Sequence, residues 1–510
     1  MSYQNPVMRG FFPDPSVICV NGVYYAVNST FQYFPAIVIS ESRDLVNWRI
    51  IGHAITDPCW LDLSGIKDSH GIWAPDISYA DGRFWIFAPL RLNGDGGKSH
   101  TVLRRQLIMH AKRPEGPYTK PVCLEMDNID PSHFVDDNGR YYLINAPGIT
   151  ITPLNDDCTA FDGETVQAWA GTGKKAPEGP HILKKDGWYY AILAEGGTGF
   201  DHQISAARSR NMFGPYEPCP HNPILKQRDP SALLQRCGHA KFVKTPGGAW
   251  YALYLCARPI GGKYTVMGRE TALQRVEWTE DGWPCMDGGL PLESAGLPIP
   301  GTEQHIETTF LDHFDGLTLQ KEWQFVRNPS GEWSLSERPG FFRIWTQDGD
   351  LQECRAKNTL VRRETETRYT ASTLLHFVPL WEGEQAGLTC YYATDAYIKC
   401  AKTAKGIMLS LRAGDEERIA ASAQLDSLQS PITLQVQVDG LTRSFFFREG
   451  DGILQELGVI GDCSFLSDEF LQNGTKRHTG TMVGLYANNG GCGSRIPADF
   501  DYFEYNAVLE

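Results

Sequence analysis

A glycine turn followed by an aromatic-rich strand recurs five times in the first half of the chain, and this repeat constrains the fold more than any other feature. Asn-Gly and Asp-Gly are favoured hairpin turns, and the β-branched and aromatic residues after them favour strands. Each copy is therefore predicted to be the turn and second strand of a hairpin. The copies are NGVYYAVNS from Asn21, DGRFWIFAP from Asp81, NGRYYLINA from Asn138, DGWYYAILA from Asp186 and GGAWYALYL from Gly247.

The spacing of the copies indicates how the hairpins assemble. The turn glycines lie roughly 57 residues apart on average, enough for a four-stranded propeller blade. The blades of a propeller bury their faces only against one another. We therefore predict a five-bladed β-propeller over residues 1–300. One or two large β-sandwiches are the alternative, but the preserved order of the elements favours the propeller.

The sequence changes character after residue 300. The stretch SAGLPIPGTEQHIE is poor in aromatic residues and contains Gly and Pro, which is typical of a linker, and we place the linker at 301–308. Beyond it, the alternating runs ITLQVQV and LTRSFFF flank an Asp-Gly turn and predict a hairpin with one buried face. Residues 309–510 are predicted to form a β-sandwich of the jelly-roll or lectin-like type, which makes the whole chain all-β.

Charge and composition narrow the partners and the compartment. The net charge of −14 argues against nucleic acid and against an anionic membrane surface, because both attract clustered Lys and Arg. The start, MSYQNPVMRGFFPDPS, lacks the basic and apolar regions of a signal peptide. Thirteen dispersed cysteines without a CxxC pair are typical of reduced thiols. We therefore expect a cytoplasmic protein without a membrane partner.

Polar residues open the first strand of each predicted blade. Since this strand lies nearest the propeller axis, side chains at its start can point into one shared pocket. The residues are Asp14 in FPDPS, Asp76 in IWAPDIS, Asp130 in NIDPSHF, Glu178 in APEGPHI and His239 in CGHAKF. Asp76 follows its proline, and we expect it to be structural. Asp14 precedes Pro15, which favours an extended backbone at Asp14.

Converging carboxylates have a defined chemical use. Hydrolysis of a glycosidic bond needs a protonated acid at the leaving oxygen and an ionised carboxylate on the other face of the sugar. A further carboxylate in the same pocket raises a neighbour's pKa and keeps an acid protonated near neutral pH. Asp14, Asp130 and Glu178 are therefore the candidate catalytic group.

The same motifs resemble those of glycoside hydrolase family 43. FPDPS, IDPSHF, PEGPH, GHA and GRET (268–271) follow in order along the predicted propeller. STFQYFP and GIWAPDISYADG are most similar to the family's β-xylosidase branch, as is the added sandwich. The resemblance implies an inverting exo-glycosidase that removes terminal β-D-xylosyl residues from short xylo-oligosaccharides.

The resemblance also implies roles for the catalytic group. Asp14 would be the general base that activates water, and Glu178 the general acid that protonates the leaving group. Asp130 would tune the pKa of Glu178 and orient it. These are the residues that the repeat brings together without reference to any family.

The resemblance implies roles for further residues of the site. Phe31 and Trp73 would form apolar walls for a pentose, with ordinary core packing as the other interpretation, and Arg269 would hydrogen-bond sugar hydroxyls. His239 would lie near the channel axis, where some members hold calcium. No cofactor is required, and one histidine is weak support for calcium, which prefers oxygen ligands.

Several alternatives stay open. Arabinofuranosidases share these motifs, so the enzyme could instead be an α-L-arabinofuranosidase or a bifunctional enzyme acting on arabinose-substituted oligosaccharides. A non-catalytic carbohydrate-binding propeller is a second alternative, although it would not need three buried carboxylates. A retaining enzyme acting on fructosides is disfavoured because no Asn-Asp-Pro-Asn occurs near the start. Relatives with the sandwich often associate, so a homo-oligomer is compatible with the resemblance.

Overall fold

The computed structural model describes residues 2–94, 103–470 and 477–509. Within these ranges the chain consists of β-strands and loops, with one short 3₁₀ helix at Asp287–Gly289. No helix in the described ranges is long and apolar enough to cross a membrane. All thirteen cysteines are free thiols.

Five antiparallel sheets form a five-bladed β-propeller, as predicted. Blade 1 comprises Ser16–Val20, Val23–Asn28, Ala36–Ser42 and Arg49–Ile55. Blade 2 comprises Gly71–Ile72, Asp76–Ala80, Arg83–Arg91, Arg104–Ala111 and Val122–Glu125. Blade 3 comprises Ile129–Val135, Tyr141–Ala146, Ile149–Pro153 and Val166–Trp169. Blade 4 comprises Glu178–Lys185, Trp188–Glu195, Gln203–Ser209, Glu217–Pro218 and Leu225–Lys226. Blade 5 comprises Gln235–Lys244, Trp250–Ala257, Glu270–Trp278 and Pro284–Cys285.

The repeated glycine turns form the hairpins that start the blades. In blade 1, Val20 pairs with Val23 across Asn21 and Gly22, whose φ angles are 51° and 79°. Positive φ at both central residues is the geometry of a type I′ turn, which matches the twist of the flanking strands. The local sequence therefore sets the register of this hairpin.

The N-terminal segment closes the ring of blades. Ser2–Gln4 pairs antiparallel with Ser294–Gly296, which follows blade 5. The backbone amides of Val7 and Met8 then donate to the carbonyl oxygen of Thr271 in blade 5. The segment that carries Asp14 is thus fixed between the last blade and the first.

Two eight-stranded sheets form the predicted β-sandwich. The first sheet contains Thr309–Asp312, Trp333–Ser334, Phe342–Trp345, Arg368–His376, Ile432–Asp439, Thr442–Glu449, Gln455–Ile460 and Pro497–Ala507. The second contains Tyr33–Phe34, Gln324–Val326, Leu360–Arg363, Gln385–Ala393, Ala396–Thr403, Gly406–Ala413, Glu417–Ala423 and Met482–Asn488.

The two domains are joined by a shared strand and by buried charges. Tyr33–Phe34 belongs to the propeller segment of the chain but pairs with Gln324–Val326 at the edge of the second sandwich sheet. Glu366 of the sandwich makes ion pairs with Arg9 (2.5 Å) and Arg258 (2.9 Å) of the propeller. These contacts bring a face of the sandwich against the mouth of the propeller.

Candidate active site

The seven residues that the sequence analysis selected for the site all line one small pocket, which has a volume of about 80 Å³. Its walls come from all five blades and from the sandwich. The lining residues are Asp14, Phe31, Trp73, Ala74, Ile129, Asp130, Glu178, Thr198, His239, Arg269 and His478.

The backbone at the start of the inner strands turns these side chains toward the pocket. Asp14, Asp130 and His239 have φ angles of 53°, 51° and 50°. The expectation of an extended Asp14 was therefore wrong: its backbone lies in the left-handed region despite the following proline. Such conformations cost about 1–3 kcal/mol each and persist only when surrounding contacts enforce them.

Asp14 is held as a carboxylate by its neighbours. The Arg269 guanidinium donates from Nη1 to Oδ1 (2.7 Å), and the Ser29 hydroxyl donates to Oδ2 (2.6 Å). Burial alone would raise the pKa of Asp14, but Arg269, His239 and the Ser29 hydroxyl outweigh it, so the pKa lies below its ordinary value. Asp14 is consequently ionised at neutral pH.

Asp130 is bound to the backbone beside Glu178. Its Oδ2 accepts a hydrogen bond from the Gly179 amide (2.9 Å). Burial and the nearby Asp14 charge raise the pKa of Asp130, while His239 and the Gly179 hydrogen bond oppose the rise. Glu178 opens the first strand of blade 4, where a register shift lies between Glu178 and His181.

A buried histidine faces Glu178. His202 lies with Nε2 3.7 Å from Oε1 of Glu178, and its Nδ1 is 3.1 Å from the carbonyl oxygen of Arg236. Burial lowers the pKa of His202 to about 3, so the ring is neutral at physiological pH. Because the carbonyl can only accept, Nδ1 carries the proton and Nε2 presents a lone pair toward Glu178.

Three rings form an aromatic wall of the pocket. The centroid of Phe31 lies 6.4 Å from that of Trp73 and 6.2 Å from that of His478, which stacks on it at 26°. The sandwich supplies His478, whose amide donates to Ser69 Oγ and whose carbonyl accepts from Arg269. Arg269 therefore contacts both Asp14 and the domain that covers the pocket.

Sequence reasoning missed Ser29, Thr198, His202 and His478. Ser29 is part of STFQYFP, which immediately follows a blade 1 strand, and this position was the available signal. Thr198, whose Oγ1 accepts from Arg269 (3.3 Å), and His202 lie after the second strand of blade 4. No repeat position distinguishes them, and His478 belongs to the other domain.

Asp76 takes a structural position, as its sequence context indicates. It is fully buried, accepts a hydrogen bond from the backbone amide of His133 (2.9 Å) and binds Nζ of Lys241 (2.5 Å). It does not line the pocket that contains the other carboxylates.

The surroundings of His239 do not fit calcium. Its Nδ1 lies 3.9 Å from Asp14 Oδ1, and its ring packs against Gly179. In the described ranges, no group of three or more His, Cys, Asp or Glu side chains is arranged to hold a metal ion. Calcium takes six to eight oxygen ligands. We therefore derive no catalytic step through a metal.

Two family models match the chain in the order of its domains. Residues 3–284 match the model described as glycosyl hydrolases family 43, and residues 311–506 match the beta xylosidase C-terminal concanavalin A-like domain. The chain belongs to glycoside hydrolase family 43. It is therefore a glycoside hydrolase, and the family assignment agrees with a carboxylate pocket at the centre of a five-bladed propeller.

Full-length relatives of this family 43 enzyme include solved structures. The GH43 protein BlXynB from Bacillus licheniformis is 51% identical, with a TM-score of 0.95 over 100% of both chains. A xylan beta-1,4-xylosidase from Bacillus halodurans C-125 is 34% identical, with a TM-score of 0.90 over 99% of this chain and 100% of that one. A non-reducing end alpha-L-arabinofuranosidase from Bacteroides ovatus is 32% identical over 99% of this chain and 95% of the relative.

Proposed function

We propose that the protein is an inverting exo-β-D-xylosidase that releases terminal xylose from short xylo-oligosaccharides. The observation that carries the proposal is the meeting of Asp14, Asp130 and Glu178, from three different blades, in one pocket walled by aromatic rings. A neutral sugar would not repay the cost of burying this group, whereas hydrolysis requires it. Family 43 enzymes invert the anomeric configuration in a single displacement.

In this proposal Asp14 is the general base. Arg269 keeps the carboxylate ionised, so it can accept a proton from a water molecule as the oxygen attacks the anomeric carbon. The new carbon–oxygen bond forms on the face opposite the leaving group, which inverts the configuration. Arg269 also contacts Thr198 and is placed to hydrogen-bond sugar hydroxyls.

In the same proposed reaction, Glu178 is the general acid. It gives its proton to the glycosidic oxygen as the bond to the anomeric carbon breaks. Asp130 is a positioning residue, because its hydrogen bond to the Gly179 amide fixes the backbone directly after Glu178. The neutral His202 offers an acceptor for the protonated form of Glu178.

The shape of the pocket supports exo action. His478 of the sandwich stacks on Phe31, and its backbone carbonyl is bound by Arg269, so the sandwich closes one side of the site. A small pocket closed on one side by the sandwich suits a terminal sugar unit and not a polymer crossing the site. Phe31 and Trp73 present the flat apolar faces that pack against sugar rings.

Hydrolysis of xylobiose and of 4-nitrophenyl β-D-xyloside by wild type, Asp14→Asn and Glu178→Gln tests the roles. Asp14→Asn should reduce kcat on both substrates by about 10²–10⁴-fold. Glu178→Gln should reduce it far more on xylobiose, because nitrophenolate leaves without full protonation. Proton NMR of the first product should show α-xylose. Equal losses on both substrates for Glu178→Gln, or β-xylose as first product, would contradict the assignment.

Release of α-L-arabinofuranose is a second candidate activity, and the Bacteroides ovatus relative supports it. The catalytic arrangement serves either sugar, so only the sugar contacts differ. Parallel rates on 4-nitrophenyl β-D-xyloside and α-L-arabinofuranoside decide between them. A larger arabinoside rate would change the substrate and leave the carboxylate roles intact, whereas binding of xylo-oligosaccharides without turnover would indicate a carbohydrate-binding propeller.

A further inference from the structure

A second and larger cavity lies where the propeller, the linker and the sandwich meet. Its volume is about 470 Å³, within the range of about 300–1,000 Å³ that is typical of small-molecule sites. The active-site carboxylates are not part of its wall. Its lining includes Arg9, Trp48, His305, Phe310, Arg362 and Tyr505.

Arg362 lies in the wall of this cavity, and no described residue accepts a hydrogen bond from its guanidinium. The residue is 9% exposed, and neither Nε nor Nη1 has a hydrogen-bond partner among the described residues. The neighbouring Arg363 donates to the Phe11 carbonyl and to Gln324, and Arg443 makes a bidentate pair with Glu364. Within the described part of the chain, Arg362 is the one buried arginine that makes no hydrogen bond or ion pair.

The rings around Arg362 only partly compensate its burial. The guanidinium carbon lies 4.1 Å from the ring centroid of Tyr505 and 4.6 Å from that of Phe310. Burial lowers the pKa of Arg362, which means that the environment disfavours the charge. Buried charges are normally paired, and a guanidinium forms strong, charge-assisted hydrogen bonds with a carboxylate.

The other charges of the cavity leave this guanidinium unneutralised. Arg9 is paired with Glu366, and Arg49 with Glu41. Glu307 and Glu322 also line the cavity, and the charge of Glu322 acts to raise the pKa of Arg362, yet neither makes an ion pair with it.

We propose that this cavity binds a carboxylate ligand of monosaccharide size, with its carboxylate on Arg362. The rings of Trp48 and Phe310 and the polar side chain of His305, all in the lining, suit a ring that carries hydroxyl groups. A sugar acid combines these properties. The site is distinct from the catalytic pocket, and the inference does not depend on which sugar the enzyme releases.

Isothermal titration of the full-length protein with D-glucuronate, and with D-glucose as the uncharged counterpart, tests the proposal. Wild type should bind glucuronate, and glucose should bind at least about tenfold more weakly, because it lacks the charged hydrogen bonds. The Arg362→Met variant should bind glucuronate at least about tenfold more weakly than wild type does. Arg49→Met is the matched control, since Arg49 lines the same cavity but is exposed and already paired, and its binding should equal that of wild type.

Glu322→Gln supplies a variant that keeps Arg362 in place, in case Arg362→Met does not fold. Removing the nearby negative charge should tighten glucuronate binding several-fold. The proposal is overturned if wild type does not bind glucuronate, if Arg362→Met binds it as wild type does, or if Glu322→Gln leaves the affinity unchanged.

Discussion

The ion pair between Arg269 and Asp14 should set the acid limit of activity. Burial acts to raise the pKa of Asp14 and Arg269 acts to lower it, and the lowering prevails. The base works only when ionised, so the acid limb of kcat/KM should lie below the ordinary aspartate pKa of 3.8. In Arg269→Met, the effect of burial on the pKa of Asp14 should prevail and raise it. The acid limb of kcat/KM should therefore move to higher pH.

A pH profile of kcat/KM measured on 4-nitrophenyl β-D-xyloside checks this expectation. Arg269→Lys keeps a positive charge and should shift the limb less than Arg269→Met, although both variants lose sugar binding. An acid limb that stays in place in Arg269→Met would mean that another group limits the activity at low pH.

At the scale of residues, the sequence was sufficient to predict which side chains enter the pocket wherever position in the repeat determines the direction of the side chain. Asp14, Asp130 and Glu178 open inner strands, and the structure places all three in one pocket. Thr198 and His478 enter the pocket from a loop and from another domain, and no periodicity encodes either approach. The left-handed backbone of Asp14 was also missed, because the effect of Pro15 is a local preference that tertiary contacts override.

Among the strands, the opening of blade 4 is the most constrained. Gly179 has a φ of 60°, and a Cβ added there would lie 3.0 Å from the ring of His239. Gly179→Ala should therefore displace His239 and the adjacent Glu178, with a loss of activity and about 1–2 kcal/mol of stability from the backbone alone. Activity assays and urea unfolding measure the two effects.

Gly22→Ala is the control for this substitution. Gly22 has a φ of 79° in the first hairpin turn, and a Cβ added there would meet nothing within 4 Å. Gly22→Ala should lower the free energy of unfolding by about as much as Gly179→Ala and leave kcat unchanged. If Gly179→Ala keeps full activity, the strand opening does not position Glu178 in the way that we describe.

The loop after the second strand of blade 4 is anchored by Arg236 of blade 5, which is itself held by two carboxylates of the sandwich. Arg236 donates from Nε to the carbonyl oxygen of Thr198 (2.9 Å), and its other nitrogens pair with Asp468 and Glu469. Arg236→Met should free Thr198 and lower kcat/KM by about 10–100-fold, mainly through KM. Partial recovery in Arg236→Lys is expected, and a fall in stability with an unchanged KM would indicate a purely structural role.

On the scale of the whole molecule, the buried charges between the domains should make them unfold together. The Glu366 side chain is 3% exposed and neutralises two propeller arginines, Arg9 and Arg258. Glu366→Gln removes the carboxylate that pairs with Arg9 and leaves Arg258 paired with Glu270, and it should destabilise the protein by about 1–3 kcal/mol. A lower urea midpoint, seen equally by probes in both domains, is the expected result.

The surface pair between Arg49 and Glu41 provides the comparison for Glu366. Glu41→Gln removes a carboxylate from an arginine whose side chain is 77% exposed, and it should cost less than about 1 kcal/mol. Equal effects of the two substitutions, or separate transitions for the two domains in wild type, would show that the junction is not a stabilising unit.

The strand Tyr33–Phe34 also protects the sandwich from its own edge. A sheet edge exposes unpaired N–H and C=O groups that can recruit another chain, and natural proteins cover such edges or place charges on them. Gln324–Val326 is completely buried and would be that edge, but the propeller strand pairs with it. A sandwich produced without the propeller would therefore present an unpaired, largely apolar strand to solvent. We expect such an isolated sandwich to aggregate.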